Sequence, residues 1–179
     1  MADNTIIVFW TDHGYHLGQK EHWEKFALWE QTTRVPLIVA YPEIEGKGEA
    51  CGQPVSLLDI FPTLNELCGI QFEEELDGVS LVPQIVNPEL ETGRAIVTTQ
   101  GFQNHAVRSD RWRYILYADG SEELYDQLED PMNFYNLADK EKYASLKQEL
   151  AVWLPQSDAE EHPTFNGQRA MNAKYENAR

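Results

Sequence analysis

Positive charge is scarce in this sequence: 14 Lys and Arg residues face 30 Asp and Glu in 179 positions, leaving a net charge of −16. Phosphate backbones are bound by clustered basic surface, so this balance argues against nucleic acid as a partner. Cysteine is nearly absent too. Cys51 and Cys68 can form one bridge at most, and their spacing matches neither a zinc site nor a disulfide framework. No apolar stretch approaches the ~20 residues of a membrane-spanning helix. Met1-Ala2-Asp3-Asn4 carries neither the basic nor the apolar region of a secretory leader, which leaves localisation open. Internal repeats and low-complexity tracts are missing. What is present is 42% hydrophobic and 11% aromatic residues, enough for a globular core in a chain of this length. The acidic excess is concentrated in Glu73-Glu74-Glu75, Glu122-Glu123 and Glu160-Glu161, which read as solvated faces.

The chain is organised around Thr5-Ile6-Ile7-Val8-Phe9-Trp10-Thr11-Asp12-His13-Gly14. Its β-branched and aromatic run predicts a strand buried on both faces, of the kind found in α/β sheets. Asp12 and His13 then sit together at its carboxyl end, where open sheets bind ligands, and form a metal-site candidate. The alternative is an Asp-His-Gly turn that simply ends the strand, with Gly14 supplying a sharp bend.

A polar loop with two histidines, His16 and His22, and two lysines, Lys20 and Lys25, follows. Phe26 to Gln31 reads as a brief helix. Arg34 to Tyr41 reads as a second buried strand, and Val55 to Cys68 as a helix kinked or started at Pro62 and stopped at Gly69. This alternation predicts an α/β layer over residues 1–75. Four strands, from Arg94, Asn104, Arg111 and Glu122, then predict a small antiparallel sheet, with Asp119-Gly120 as a primed turn. Tyr143, Leu146, Leu150 and Trp153 at helical spacing predict a helix covering one face. Residues 76–155 form this second unit, and 156–179 read as a polar tail. Trp112, Tyr114 and Tyr117 fit the layer between sheet and helix. His22 and His105 are candidate substrate contacts, with His16 and Asn104 as weaker ones; simple exposure or packing is the alternative for each.

Several ordered blocks carry a resemblance: Thr11-Asp12-His13-Gly14-Tyr15-His16-Leu17-Gly18, Trp23-Glu24-Lys25, Thr33-Arg34-Val35-Pro36-Leu37-Ile38, Ser56 to Leu64, Leu76 to Leu81, Arg111-Trp112-Arg113-Tyr114, Glu123-Leu124-Tyr125-Asp126 and Asp130-Pro131. Together they resemble the C-terminal part of the sulfatase family, in the alkaline-phosphatase-like superfamily and nearest the iduronate and choline sulfatase type. The resemblance implies a partial alkaline-phosphatase-like mixed sheet with helices, plus the small C-terminal sheet and helix. It implies that Asp12 and His13 are ligands of a divalent cation, usually calcium. A His ligand leaves manganese or zinc open. It implies that Lys25 binds the sulfate of a sulfated small molecule or sugar.

The same family makes its nucleophile, a formylglycine, from the first residue of a Cys/Ser-x-Pro-x-Arg motif. Neither Cys51-Gly52-Gln53-Pro54 nor Cys68-Gly69-Ile70-Gln71 fits it, and no serine does. The family's paired aspartates on its first strand are absent as well. The expectation is therefore a sulfuric ester hydrolase whose N-terminal part, with the nucleophile, lies outside this chain. Alternatives are a non-catalytic module that binds an anion or a metal, or a phosphoester hydrolase of the same superfamily.

Overall fold

The computed structural model describes residues 4–43 and 48–159, so Glu160-Glu161 and the tail beyond them lie outside the described residues. The molecule is mixed α/β, as the sequence predicts. A two-stranded ribbon comes first, in which β1 (Ile7–Trp10) pairs antiparallel with β4 (Leu37–Ala40), Trp10 opposite Leu37. The expectation of strands buried on both faces is overturned here. Ile7, Phe9 and Ile38 are each more than half exposed, because among the described residues no further strand pairs with the ribbon. An apolar run reports which side chains a strand carries, not whether anything covers them.

Antiparallel pairing has a consequence for the site. The carboxyl end of β1 and the start of β4 lie at the same end of the ribbon, so Asp12 and His13 are brought to the same place as Arg34. Between the two strands the chain makes a tight hairpin of β2 (His16–Leu17) and β3 (Trp23–Glu24), then a short α1 (Glu30–Thr33), four residues later than the predicted start.

After β4 comes α2 (Ile60–Leu67), preceded by a 3₁₀ turn at Leu57–Asp59. Pro62 occupies its first turn, where no amide donor is required, and Gly69 closes it at φ +65 with Ile70 N–H donating to Asn65 O at 2.8 Å. A short α3 (Val82–Val86) follows. Asp59, fully buried, ties these pieces together: its carboxylate accepts from Ser56 N (2.7 Å), Val79 N (2.9 Å) and both terminal nitrogens of Arg94 (2.8 and 2.9 Å).

The four-stranded antiparallel sheet runs β5 (Ile96–Thr99), β6 (His105–Arg108), β7 (Trp112–Leu116) and β8 (Glu122–Asp126) in chain order. Neighbouring residues divide between its faces, as a pleat requires. Val107, Tyr114 and Leu124 pack with Ala95, Ala138 and Leu150, the last from α4 (Ala144–Ala151), with Trp112, Tyr143 and Leu146 at the margin. Ala106, Ile115 and Tyr125 pack on the opposite face against Leu28, Trp29 and Tyr117. Tyr117 therefore does not lie between sheet and helix as expected. The β7–β8 turn is also not a primed one: Gly120 alone takes positive φ, at +81, and Tyr117 N–H donates to Ser121 O at 3.0 Å, which makes a three-residue loop.

Candidate functional site

Gly14 anchors the ligand pair. Its N–H donates to Thr32 O at 2.7 Å, and a Cβ there would meet Gln31 O at 2.0 Å. The glycine is thus required by close approach to α1, and its φ is not positive. This contact fixes Asp12 and His13 relative to α1. His13 Nδ1–H donates to Gly14 O at 2.6 Å, which leaves the neutral ring with its lone pair at Nε2. That nitrogen lies 3.6 Å from Asp12 Oδ2, and the Asp12 side chain is 76% exposed.

A carboxylate oxygen and an imidazole lone pair at this separation suit two positions around one cation. They are two donors only. Calcium takes about six to eight oxygens, and among the described residues no group of three or more His, Cys, Asp or Glu side chains could hold a metal. Asp12 and His13 fit part of a shell.

Lys25 follows the β2–β3 hairpin. Among the described residues its ammonium faces the Phe26 ring, 5.7 Å from the centroid, rather than a carboxylate. Asp12, His13 and Lys25 line one cavity of about 950 Å³, together with Arg34, Glu30, Arg108, Arg113 and Gln127. Glu30 is the buried anion of this wall. Arg113 Nη2 donates to its Oε2 at 2.5 Å and Arg108 Nε at 3.3 Å, while Arg113 Nη1 donates to Leu28 O at 2.7 Å. Burial alone would raise the Glu30 carboxyl, but the charge of Arg113, with Arg108, more than offsets it and holds the group below the usual carboxylate range.

The structure brings Asp12, His13 and Lys25 together and puts the other candidates elsewhere. His22 packs edge-on to His16, with ring centroids 5.2 Å apart, and to Trp29 at 5.8 Å. His16 is fully buried, and burial lowers its pKa against an opposing interaction with the Gln19 backbone. These rings brace the hairpin. Lys20 clamps it to the sheet, donating to Tyr125 Oη (2.8 Å) and Asn133 O (2.7 Å). His105 is buried between Thr99 Oγ1 and Asp158 Oδ1, each 2.8 Å away. Asn104 Nδ2 donates to Gln100 O and Phe102 O, at 3.1 and 3.0 Å. Neither residue is part of the cavity lining. Sequence reasoning passed over Glu30, Arg108 and Arg113, because a charge inside an apolar strand carries no sign of its partner, here 83 residues away in the case of Arg113 and Glu30.

Comparison with known proteins bears on the chain as a whole. The family model for N-sulphoglucosamine sulphohydrolase, C-terminal, matches residues 18–160. A sulfatase of Formosa agariphila is 44% identical over 168 residues, which is 92% of this chain and 33% of that protein. A choline-sulfatase of Rhizobium meliloti is 38% identical, over 78% of this chain and 28% of its own length. The chain thus spans about a third of the curated relatives it matches. The solved structure of a 2-O GAG sulfatase superposes with a TM-score of 0.73 at 27% identity, covering 97% of this chain and 36% of that one. On the family match, the shared sequence and the shared fold, this chain belongs to the sulfatase family and corresponds to its C-terminal region.

Proposed function

We propose that the cavity holds the sulfate group of a sulfate ester, and that the chain contributes this half of the site to a sulfuric ester hydrolase. The observation that carries the reading is the convergence of Asp12, His13 and Lys25 on one cavity although they are separated by up to 13 positions and by a hairpin. In this reading the Lys25 ammonium donates to a sulfate oxygen and neutralises charge there, and among the described residues no carboxylate is ion-paired with it. Asp12 and His13 would hold part of the shell of a divalent cation, calcium by family resemblance. Such a cation would supply a second positive charge to the sulfate oxygens. Glu30 keeps Arg113 and Arg108 fixed behind the cavity, so the wall does not rearrange as the anion enters.

The chain alone is a binding half. No residue of it fits the Cys/Ser-x-Pro-x-Arg pattern, so the attacking group, a formylglycine by resemblance, is supplied from outside these 179 residues. Sulfate rather than phosphate is favoured by the Trp23-Glu24-Lys25 segment, which resembles the sulfate-binding one of the family.

Calorimetric titration of the chain with methyl sulfate, with and without calcium, tests this. The expected result is weak saturable binding that calcium strengthens, that Lys25→Ala weakens about tenfold and that Asp12→Ala makes insensitive to calcium. Binding unchanged by Lys25→Ala would overturn the assignment. Hydrolysis of a chromogenic sulfate ester by the chain alone would overturn the binding-half reading.

A further inference from the structure

The hairpin that delivers Lys25 to the cavity is short and strained. It has two ladder pairs, His16 opposite Glu24 and Leu17 opposite Trp23, too few to hold an isolated strand pair together in water. Within it the backbone takes positive φ at three residues other than glycine: Lys20 and Glu21 at +57, and Glu24 at +92. A residue with a side chain is strained in that region and stays there only where its surroundings impose it. Glu24 immediately precedes Lys25, so its φ sets the direction in which Lys25 leaves the hairpin.

What imposes the conformation is Lys20, at the hairpin tip. Its ammonium lies 4.8 Å from the centroid of the Trp29 ring and 4.7 Å from that of Tyr125, and it donates to Tyr125 Oη at 2.8 Å and to Asn133 O at 2.7 Å. Both anchors are themselves fixed. Tyr125 Oη donates to Glu123, which also accepts from Trp29 Nε1 at 2.6 Å. Asn133, fully buried, accepts the Glu30 N–H on its Oδ1 at 3.1 Å. Burial works against the Lys20 ammonium, while Glu123 and Asp130 favour its charged form. Lys20 does not line the cavity that Lys25 lines. It also falls in Gln19 to His22, between the blocks Thr11 to Gly18 and Trp23 to Lys25 that carry the family resemblance.

Building on the reading of Lys25 as the sulfate contact, we propose that Lys20 is a positioning residue for anion binding: its grip on Tyr125 and Asn133 keeps the strained hairpin in place, and so keeps Lys25 at the cavity, without touching the ligand. When the clamp is lost, Lys20, Glu21 and Glu24 relax toward negative φ and Lys25 leaves the hairpin in another direction. The incoming anion then has to reorder the segment, and affinity falls by the cost of that ordering.

Methyl sulfate titration of the intact 179-residue chain in the presence of calcium, at a temperature where circular dichroism shows each variant folded, tests this. Lys20→Met keeps the apolar stem and removes the ammonium. It should weaken binding about tenfold and move the amide shifts of Lys25 and Phe26 in the ligand-free chain. Adding Glu24→Gly should recover part of the lost affinity, because glycine takes positive φ without strain. Lys147→Met, which removes the ion pair with Glu122, measures simple destabilisation: it should lower the melting temperature while leaving affinity within about twofold and those shifts in place. Lys20→Met that lowers the melting temperature but not the affinity, or a loss that Glu24→Gly leaves wholly unrepaired, would overturn the inference, and Lys25→Ala would still weaken binding. If Lys20→Met does not fold, Tyr125→Phe decides, since it removes the hydroxyl that accepts from Lys20 and keeps the ring: binding about threefold weaker supports the clamp and unchanged affinity overturns it. Failure of the wild-type chain to bind methyl sulfate would overturn the Lys25 assignment and this inference together.

Discussion

The four-stranded sheet and the β1–β4 ribbon use similar residues to opposite effect. Both are built from short apolar strands, but the sheet is covered on one face by α4 and on the other by Leu28 and Trp29. Its charged side chains are committed: Arg113 to Glu30, Arg111 to Asp126, Lys147 to Glu122. The ribbon leaves Phe9 and Ile38 open, and at its end Asp12, Lys25 and Arg34 have little to hold them. In one region charge maintains the fold, while in the other Lys25 and Arg34 carry no ion pair among the described residues. The difference arises from what covers each strand, since a buried charge such as Glu30 or Arg113 has to be paired while an exposed one does not.

The sharpest way to break this contrast is to remove the buried anion on which the two regions meet. Glu30→Ala leaves Arg113 charged and uncompensated, and should cost about 3–5 kcal/mol in chemical denaturation. Glu30→Leu combined with Arg113→Met should recover most of that loss. The Glu30 carboxyl titrates lower when folded than when unfolded. Its contribution is therefore full above the ordinary carboxylate pKa and lost as pH falls through the depressed value.

Gly14→Ala comes next, at about 1–3 kcal/mol, because the added methyl meets backbone at Gln31. Unlike Glu30→Ala, it should also displace Asp12 and His13 and so abolish calcium sensitivity in the methyl sulfate titration. A smaller effect is expected at His16, whose pKa is lowered by burial. Its folded value lies below its unfolded one, so stability is full above about pH 6.5 and falls as pH drops through that window. The melting temperature of the wild-type chain should decline there, and His16→Leu should flatten that decline. Phe9→Ser should change stability by no more than about 0.5 kcal/mol, since the ring is mostly exposed. The same substitution should reduce self-association in sedimentation runs, because an uncovered apolar ribbon with free edges favours pairing with another chain.

The closed region was largely legible in the sequence. The β5–β8 strands, the Gly120 turn and α2 between Pro62 and Gly69 all follow from residues whose backbone preferences act locally. The open region was legible in a different way. Asp12 and His13 stood out as a pair at a strand end, but the roles given to them and to Lys25 came from resemblance to a family, not from their own spacing. What could not be read were facts about partners: that Arg113 meets Glu30, that Tyr117 lies on the face opposite α4, and that Gly14 serves a close approach where a bend was expected. Each depends on residues far away in the chain, and local pattern carries no record of them.

Residue-by-residue chemical-shift mapping with methyl sulfate tests the central claim most directly, because it asks which of the two regions takes the ligand. The account predicts saturable shifts confined to the backbone amides of Asp12, His13 and Gly14, of Lys25, Phe26 and Ala27, and of Thr33 and Arg34, all of which vanish in Lys25→Ala. Shifts centred instead on His16, His22 or His105, or spread over β6 to β8 and retained in Lys25→Ala, would contradict it.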